Sequence, residues 1–449
     1  MQEQEKERRV TPGSRTGIVN IPASKSRAHR LLIMAARNKE RVFMQCSGIS
    51  NDIQATIDCL KGLGCVIRQP EQDIIEIGTD LPDFGDDRDL VTSAGDTAVR
   101  TLPCRDSGST LRFMMPYAGA CGARVVFKMQ GRLPERPLAP FDDELRAHGM
   151  EIRRSGDELY CSGQLVSGTY TLPGNVSSQY ISGLLMSLPM LEGDSRLVIT
   201  GEMESYDYIV MTLDAMRMAG ISCTREGNTF LIPGGQSVSM PQTVAVEGDW
   251  SGAAFFLALG ALSLQGVTVS GVDSESLQGD RAILKVLRDF GADVREDLSA
   301  AKVSFAPLKA QTIDASGIPD LVPVISVIAA AAEGTTRIVG AGRLRLKESD
   351  RLKTTTAMLK SIGADITELE DSLVIRGCAF DPKVADKGRF LKGGRIDSAG
   401  DHRIAMSAAV AASLCSGDVY VSDPECVKKS FASFWEDFEA LTVCGNCEN

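Results

Sequence analysis

A chain of 449 residues, 43% of them hydrophobic and 24% charged, exceeds the roughly 250 to 300 residues at which a single core stops growing, so two domains of about 200 residues are expected. A formal charge of −11 and a sequence pI of about 5.0 exclude a general nucleic-acid binder, which carries a basic face, but leave room for local basic pockets that take small anions. The longest apolar stretches, Ala253 to Leu264 and Leu321 to Ala332, reach twelve residues; they fall short of the roughly twenty that a membrane span needs and predict buried helices.

In chain order, Met1 to Arg9 is a charged tail expected to be disordered. Gly17-Ile18-Val19-Asn20-Ile21 follows as a strand. Pro22-Ala23-Ser24-Lys25-Ser26-Arg27-Ala28-His29-Arg30 then leads into the apolar run Leu31 to Ala36, a serine-capped helix start that carries a lysine. Free N–H groups, a hydroxyl and a lysine at a helix N-terminus suit a phosphate, although the glycines of a P-loop are missing. Asp106-Ser107-Gly108-Ser109-Thr110-Leu111-Arg112 and Gly174-Asn175-Val176-Ser177-Ser178-Gln179 repeat the idea. Each alone reads as an ordinary cap; together they point to anions.

A unit recurs along the chain. An apolar residue, a basic residue, two variable positions and a glycine appear at Leu60 to Gly64, Leu145 to Gly149, Met216 to Gly220, Leu287 to Gly291 and Leu359 to Gly363, with the glycines 85, 71, 71 and 72 residues apart. The basic residue complements the negative end of a helix dipole, and the glycine takes the left-handed conformation that ends the helix. Two strand-like runs around a polar turn follow each glycine, as in Ile366 and Leu373-Val374-Ile375, so each unit ends in a hairpin. Runs such as Leu197 to Thr200 and Val267 to Ser270 supply earlier strands. A sixth helix, from about Phe431 to Leu441, closes the chain, and the Gly17 to Ile21 strand is assigned to its module. Six mixed α/β modules, three per domain, result, with the change of domain near Gln242-Thr243-Val244.

Two islands of alternating charge, Lys347-Glu348-Ser349-Asp350-Arg351 and Asp401-His402-Arg403, lie in the last third. On a helical turn Lys347 and Arg351 would share one face and repel unless a bound phosphate or carboxylate lies between them. The plain alternative is a solvated helix end with pairs such as Glu348 with Arg351.

These segments, in this order, resemble the 5-enolpyruvylshikimate-3-phosphate synthase family, from about Gly17 to Phe438. The resemblance implies a two-domain inside-out α/β (α+β) fold, each domain built from three βαβαββ repeats, with the active site in the interdomain cleft. It places residues 1–24 with 244–449 in one domain and 25–243 in the other, with residues 1–10 a disordered tail. It also implies transfer of the enolpyruvyl group of phosphoenolpyruvate to the 5-hydroxyl of shikimate 3-phosphate, through a tetrahedral intermediate, with release of phosphate. Both substrates are anions, and the matching positions supply the cations Lys25, Arg30, Arg112, Arg132, Lys347, Arg351, Arg403 and Lys429.

By the same resemblance, shikimate 3-phosphate would meet Lys25, Ser26, Arg30, Ser177, Ser178, Gln179, Ser205, Tyr208, Asp320 and Lys347. Phosphoenolpyruvate would meet Lys25, Gly108, Arg132, Gln179, Arg351, Arg403 and Lys429. Asp320 would take the hydroxyl proton, Glu348 would protonate the methylene carbon, and Lys25 would serve both substrates; the chemistry needs one acceptor and one donor. A hinge that closes on the first substrate is expected. Three positions depart from the family pattern: Asp106 and Arg343 stand for asparagine and Phe113 for proline.

No cofactor or metal is expected, since His29, His148 and His402 sit in unlike contexts; His148 reads as structural and His402 as facing the site. Small-molecule substrates, a monomer, and neither nucleic acid nor membrane are the expected partners. Twelve cysteines without a paired framework and no cleavable leader point to the cytoplasm; the terminal Cys444/Cys447 pair reads as a frayed tail. Two alternatives stay open. A UDP-N-acetylglucosamine enolpyruvyl transferase would carry a reactive cysteine near Arg132, yet Met129 to Leu138 has none and Cys121, placed where a strand should begin, reads as a buried hydrophobe. A non-catalytic scaffold for phosphometabolites would lack the acid or the base.

Overall fold

The computed structural model describes residues 7–78, 99–384 and 391–443; Cys444 and Cys447 lie outside them. The chain forms two compact units, one of residues 23–246 and one of residues 1–22 with 247–449. Each is built from modules with one plan. Two parallel strands joined by a helix are followed by a second helix and an antiparallel hairpin, giving the sheet order first, second, fourth, third.

In the 23–246 unit the clearest module runs Thr169–Pro173, helix Ser178–Ser187, Ser195–Thr200, helix Tyr206–Met218, and the hairpin Thr224–Glu226 with Thr229–Ile232. A second begins at Arg100–Arg105 and helix Gly108–Ala120 and ends at Glu158–Gly163. The remaining one borrows its first strand: Thr243–Ala245 lies parallel to Val42–Gln45 beside helices Lys25–Ala35 and Asn51–Gly62. The other unit borrows in the same way. Arg15–Asn20 lies parallel to Val267–Ser270, in the module of helix Trp250–Ala261. That strand was expected in the terminal module; it touches that module through Thr442–Val443, paired antiparallel to its start, and through Arg15, whose guanidinium lies 4.3 Å from the centre of the Phe438 ring.

The terminal module is completed from the tail. Arg8–Val10 pairs antiparallel with Val419–Val421, which lies parallel to Gly394–Ile396 and precedes helix Phe434–Ala440. The expectation of disorder up to residue 10 is therefore wrong for Arg8–Val10. Val10 points inward and is 3% exposed, so one buried valine after two arginines suffices for a half-buried edge.

The five repeated glycines have φ between 71° and 106°, which a residue with a Cβ adopts only with strain. Lys61, Arg146, Arg217, Arg288 and Lys360 occupy the last turns before them. Helices Trp250–Ala261, Val322–Ala331 and His402–Ala411 are buried along their whole length and pack on one another. A helix without a polar face belongs in a core; here the helices form the interior and the sheets surround them. In the 23–246 unit, Gly183 lets helix Ser178–Ser187 approach helix Gly108–Ala120, since a Cβ there would sit 2.5 Å from the Arg112 carbonyl oxygen.

Truncation before Thr11 removes the Val10 side chain from the core, worth about 2 kcal/mol; the exposed pairs Arg8–Glu439 and Arg9–Asp418 add little. The first urea transition is expected to move to lower denaturant by that amount. An unchanged midpoint would show that the strand adds nothing to stability.

Candidate active site

In the 23–246 unit, helices begin on serine. Ser24, Ser50, Ser107 and Ser177 each accept a hydrogen bond from a backbone N–H of the first turn. A neutral cap satisfies one donor and leaves the positive end of the dipole uncompensated. The expected residues cluster at these starts. Lys25 opens its helix with Nζ 3.0 Å from Asp52 Oδ2, both nearly buried. Arg30, one turn on, donates to the Ser26 carbonyl at 2.6 Å, the Tyr208 carbonyl at 2.9 Å, Thr212 Oγ1 at 2.7 Å and Ser182 Oγ at 3.3 Å. It therefore ties three helices together. Burial pushes its guanidinium down to about 9, still charged at neutral pH. Ser205, in the left-handed conformation, precedes the helix that carries Tyr208.

Gln179 donates to Ser109 Oγ at 2.9 Å, linking the starts of two helices. Gly108 is the first residue of its helix, and a Cβ there would lie 2.5 Å from Arg112 Nη1 and 2.7 Å from Arg136 Nη1. Two nearly buried guanidinium groups thus converge over this turn. Arg136 is not among the expected site residues; its place four residues after Arg132, in the segment Met129 to Leu138, is the signal for it. Arg132 is half exposed, 3.6 Å from Glu135.

In the other unit the caps are aspartates: Asp249, Asp350 and Asp401. Here the charge of the site lies on side chains. Arg351, with its side chain 1% exposed, is gripped on every edge. Nε meets Asp401 Oδ2 at 2.7 Å, Nη1 meets Asp320 Oδ1 at 2.7 Å and Nη2 meets Glu348 Oε2 at 2.7 Å. Arg403 donates to Asp320 Oδ2 at 2.9 Å and to Ser251 Oγ at 3.0 Å. Lys347 Nζ lies 3.5 Å from Asp320 Oδ1. The charge island is thus a partly buried network of ion pairs centred on Arg351, and it includes the Glu348–Arg351 pair of the plain alternative. Lys429, nearly buried, ends the turn Pro424–Lys429 that packs on helix His402–Ala411.

Burial alone would raise the Asp320 carboxyl, but Arg403, Lys347 and Arg351 outweigh it and hold it well below the usual carboxylate range. Burial, then the charge of Asp320, pushes Asp280 up to about 6. Asp280 and Ser251 were not foreseen, because their role rests on contacts from helices far apart in sequence. His402, expected to face the site, is 1% exposed. His148 stacks on Tyr170 with centroids 3.7 Å apart. Cys121 caps the C-terminus of helix Gly108–Ala120 and does not begin a strand; burial raises its thiol to about 11. Phe113 lies edge-on to His29 and under the Arg30 guanidinium, 5.2 Å from the ring centre. Arg343 donates to the Ser316 carbonyl at 3.0 Å. Among the described residues no group of His, Cys, Asp or Glu is arranged to hold a metal, and no helix is long and apolar enough to cross a membrane.

The sequence model described as EPSP synthase (3-phosphoshikimate 1-carboxyvinyltransferase) matches residues 10–438. A 3-phosphoshikimate 1-carboxyvinyltransferase of Clostridium kluyveri is 39% identical over 438 residues, covering 96% of both chains. The chain belongs to the EPSP synthase family. It is a transferase of the shikimate pathway. An EPSP synthase structure from Acinetobacter baumannii superposes with a TM-score of 0.78 at 25% identity, covering 97% of this chain and 98% of that one. An enolpyruvyl transferase from Streptomyces tendae shares the fold at 14% identity, with a TM-score of 0.72 and coverage of 98% and 97%.

The two acids predict opposite pH behaviour. Asp320, depressed on folding, contributes stability that is present above about pH 4 and lost as the pH falls further. Asp280, raised to about 6, binds more protons native than unfolded between about pH 4 and 6, so it makes the fold less stable as the pH rises through that window. Asp280→Asn removes that titration. Its unfolding free energy relative to the parent is expected to rise by about 1 to 3 kcal/mol between pH 4 and pH 7. A constant difference in urea denaturation would contradict the assignment.

Proposed function

We propose that this chain transfers the enolpyruvyl group of phosphoenolpyruvate to the 5-hydroxyl of shikimate 3-phosphate, giving 5-enolpyruvylshikimate 3-phosphate and phosphate. The observation that carries the reading is one buried guanidinium, Arg351, holding two carboxylates, Asp320 and Glu348, at 2.7 Å each. Transfer needs a proton acceptor for the hydroxyl and a donor for the methylene carbon, held in fixed relation.

In the addition step the hydroxyl proton passes to Asp320, the oxygen bonds the central carbon of phosphoenolpyruvate, and Glu348 protonates the methylene to a methyl group. In the elimination step the methyl returns a proton to Glu348 and the C–O bond to phosphate breaks. Phosphate leaves with the proton held by Asp320. Lys25, Ser26, Arg30, Ser177, Ser178, Gln179, Ser205, Tyr208 and Lys347 are assigned to shikimate 3-phosphate. Gly108, Arg132, Arg351, Arg403 and Lys429, with Lys25 and Gln179 shared, are assigned to phosphoenolpyruvate, and Arg112 and Arg136 join them through their approach to Gly108. Fixed cations in a water-poor site stabilise the charge that builds up on phosphate far better than water does. The enzyme is proposed to act as a monomer in the cytoplasm.

A nucleotide-sugar acceptor fits less well, because Met129 to Leu138 has no cysteine and the Cys121 thiol is pushed up by burial. Phosphate release from phosphoenolpyruvate is expected with shikimate 3-phosphate and absent with UDP-N-acetylglucosamine; the reverse result would overturn the reading. Asp320→Asn is expected to lower kcat by about 10²- to 10⁴-fold while shikimate 3-phosphate still binds. Unchanged turnover would remove Asp320 from the mechanism. Gly108→Ala drives its Cβ against the Arg112 and Arg136 guanidinium tips, which can shift. The KM for phosphoenolpyruvate is therefore expected to rise about ten-fold, with the KM for shikimate 3-phosphate nearly constant. Equal changes in both constants would contradict this partition.

A further inference from the structure

Behind Arg403 lies a second carboxylate that the reaction described above does not use. Asp280 sits in the short turn Gly279–Ala282 and is 5% exposed. Its Oδ2 accepts a hydrogen bond from the Ser251 hydroxyl. Ser251 Oγ in turn accepts from Arg403 Nη2 at 3.0 Å, and the same nitrogen donates to Asp320 Oδ2 at 2.9 Å. A hydroxyl has one proton to give. With that proton committed to Asp280, the lone pairs of Ser251 face Arg403, and both hydrogens on Nη2 are spent, one on Ser251 and one on Asp320.

The surroundings hold this chain of contacts still. Ser251 is the second residue of the fully buried helix Trp250–Ala261 and gives its N–H to the cap Asp249 Oδ1 at 3.0 Å. Gln278, two residues before Asp280, accepts from Trp250 N–H at 3.1 Å and donates to the Gly248 carbonyl at 2.9 Å. The turn carrying Asp280 is thereby stapled to the start of the helix carrying Ser251. A carboxylate buried this way beside Asp320 weakens the fold relative to an apolar residue of the same size. Its orienting effect on Arg403 accounts for its place.

We propose that Asp280 and Ser251 are positioning residues that fix the rotation of the Arg403 guanidinium, and through it the Asp320 carboxylate, before an anionic substrate arrives. The proposal rests on the function proposed above, in which Arg403 meets phosphoenolpyruvate and Asp320 receives the hydroxyl proton. A guanidinium free to turn would follow the incoming anion and leave Asp320. One anchored by Ser251 keeps Asp320 aimed while its outer edge takes up charge.

Ser251→Ala, Asp280→Ala and the double variant are assayed for phosphate release, for KM of phosphoenolpyruvate, for binding of shikimate 3-phosphate alone by calorimetry, and for urea midpoint. Both single variants are expected to lose about ten-fold in kcat and to raise the phosphoenolpyruvate KM several-fold, with shikimate 3-phosphate affinity within about two-fold. The double variant is expected to be no worse than the worse single, in kcat and in midpoint, because the residues act as one chain. Asp280→Asn, which keeps an acceptor for Ser251, is expected to recover most of kcat. Wild-type kcat in Ser251→Ala, additive losses in the double variant, or an equal fall in affinity for both substrates would overturn the proposal. If Asp280→Ala does not fold, Ser251→Ala, which removes one oxygen, carries the test. A parent enzyme that releases no phosphate would instead refute the proposed function, and the additivity of the midpoints would still judge the relay.

Discussion

A guanidinium withdrawn from water must be met by anions, and this requirement at Arg351 organises the candidate residues of the unit that contains it. Removing water around an ion costs several kcal/mol, and stranding one member of a buried set costs about 3 to 5 kcal/mol. Three acids answer it, and each belongs to a different part of the unit. Asp401 caps helix His402–Ala411 and also holds Arg351, the first residue of helix Arg351–Ser361. Asp320 comes from the turn before helix Val322–Ala331, and Glu348 from the segment before Arg351 itself. The electrostatic demand of one side chain therefore registers two buried helices and fixes two carboxylates, Asp320 and Glu348.

The two units attract anions by different means. Serine caps in residues 23–246 leave the helix dipoles of their first turns open, so backbone N–H groups and hydroxyls supply neutral donors, with Lys25, Arg30, Arg112 and Arg136 adding charge. Aspartate caps in the other unit cancel the dipoles of Trp250–Ala261, Arg351–Ser361 and His402–Ala411. The charge offered to a ligand there comes from Lys347, Arg403 and Lys429. This division lets a chain of net charge −11 present local positive charge in each unit.

Much of the fold was legible because its signals are local. A basic residue before a glycine marks a helix end wherever it occurs, and all five repeated glycines take positive φ. What depended on distant pairing was not legible. Arg8–Val10 shows one buried valine after two arginines, too little pattern to announce a strand until Val419–Val421 offers an edge. Arg15–Asn20 reads as a strand, but nothing in it names Val267–Ser270 as its partner. The same limit applied to the site. Motifs exposed Arg351 and Asp320; Asp52 beside Lys25, Arg136 over Gly108 and Asp280 behind Ser251 emerge only when segments of one module that lie far apart along the chain fold onto one another.

The borrowed strands bear on how the chain matures on the ribosome. Residues 23–246 hold every strand their sheets require, including Thr243–Ala245, so this unit can close as soon as it has emerged. Arg8–Val10 and Arg15–Asn20 are translated first but find partners only after Val267–Ser270 and Val419–Val421 are made. Distant pairings of this kind are slow to form. During synthesis one half can thus be complete while Arg15–Asn20 stays unzipped until Val267–Ser270 emerges, and Arg8–Val10 until Val419–Val421 does, close to the end.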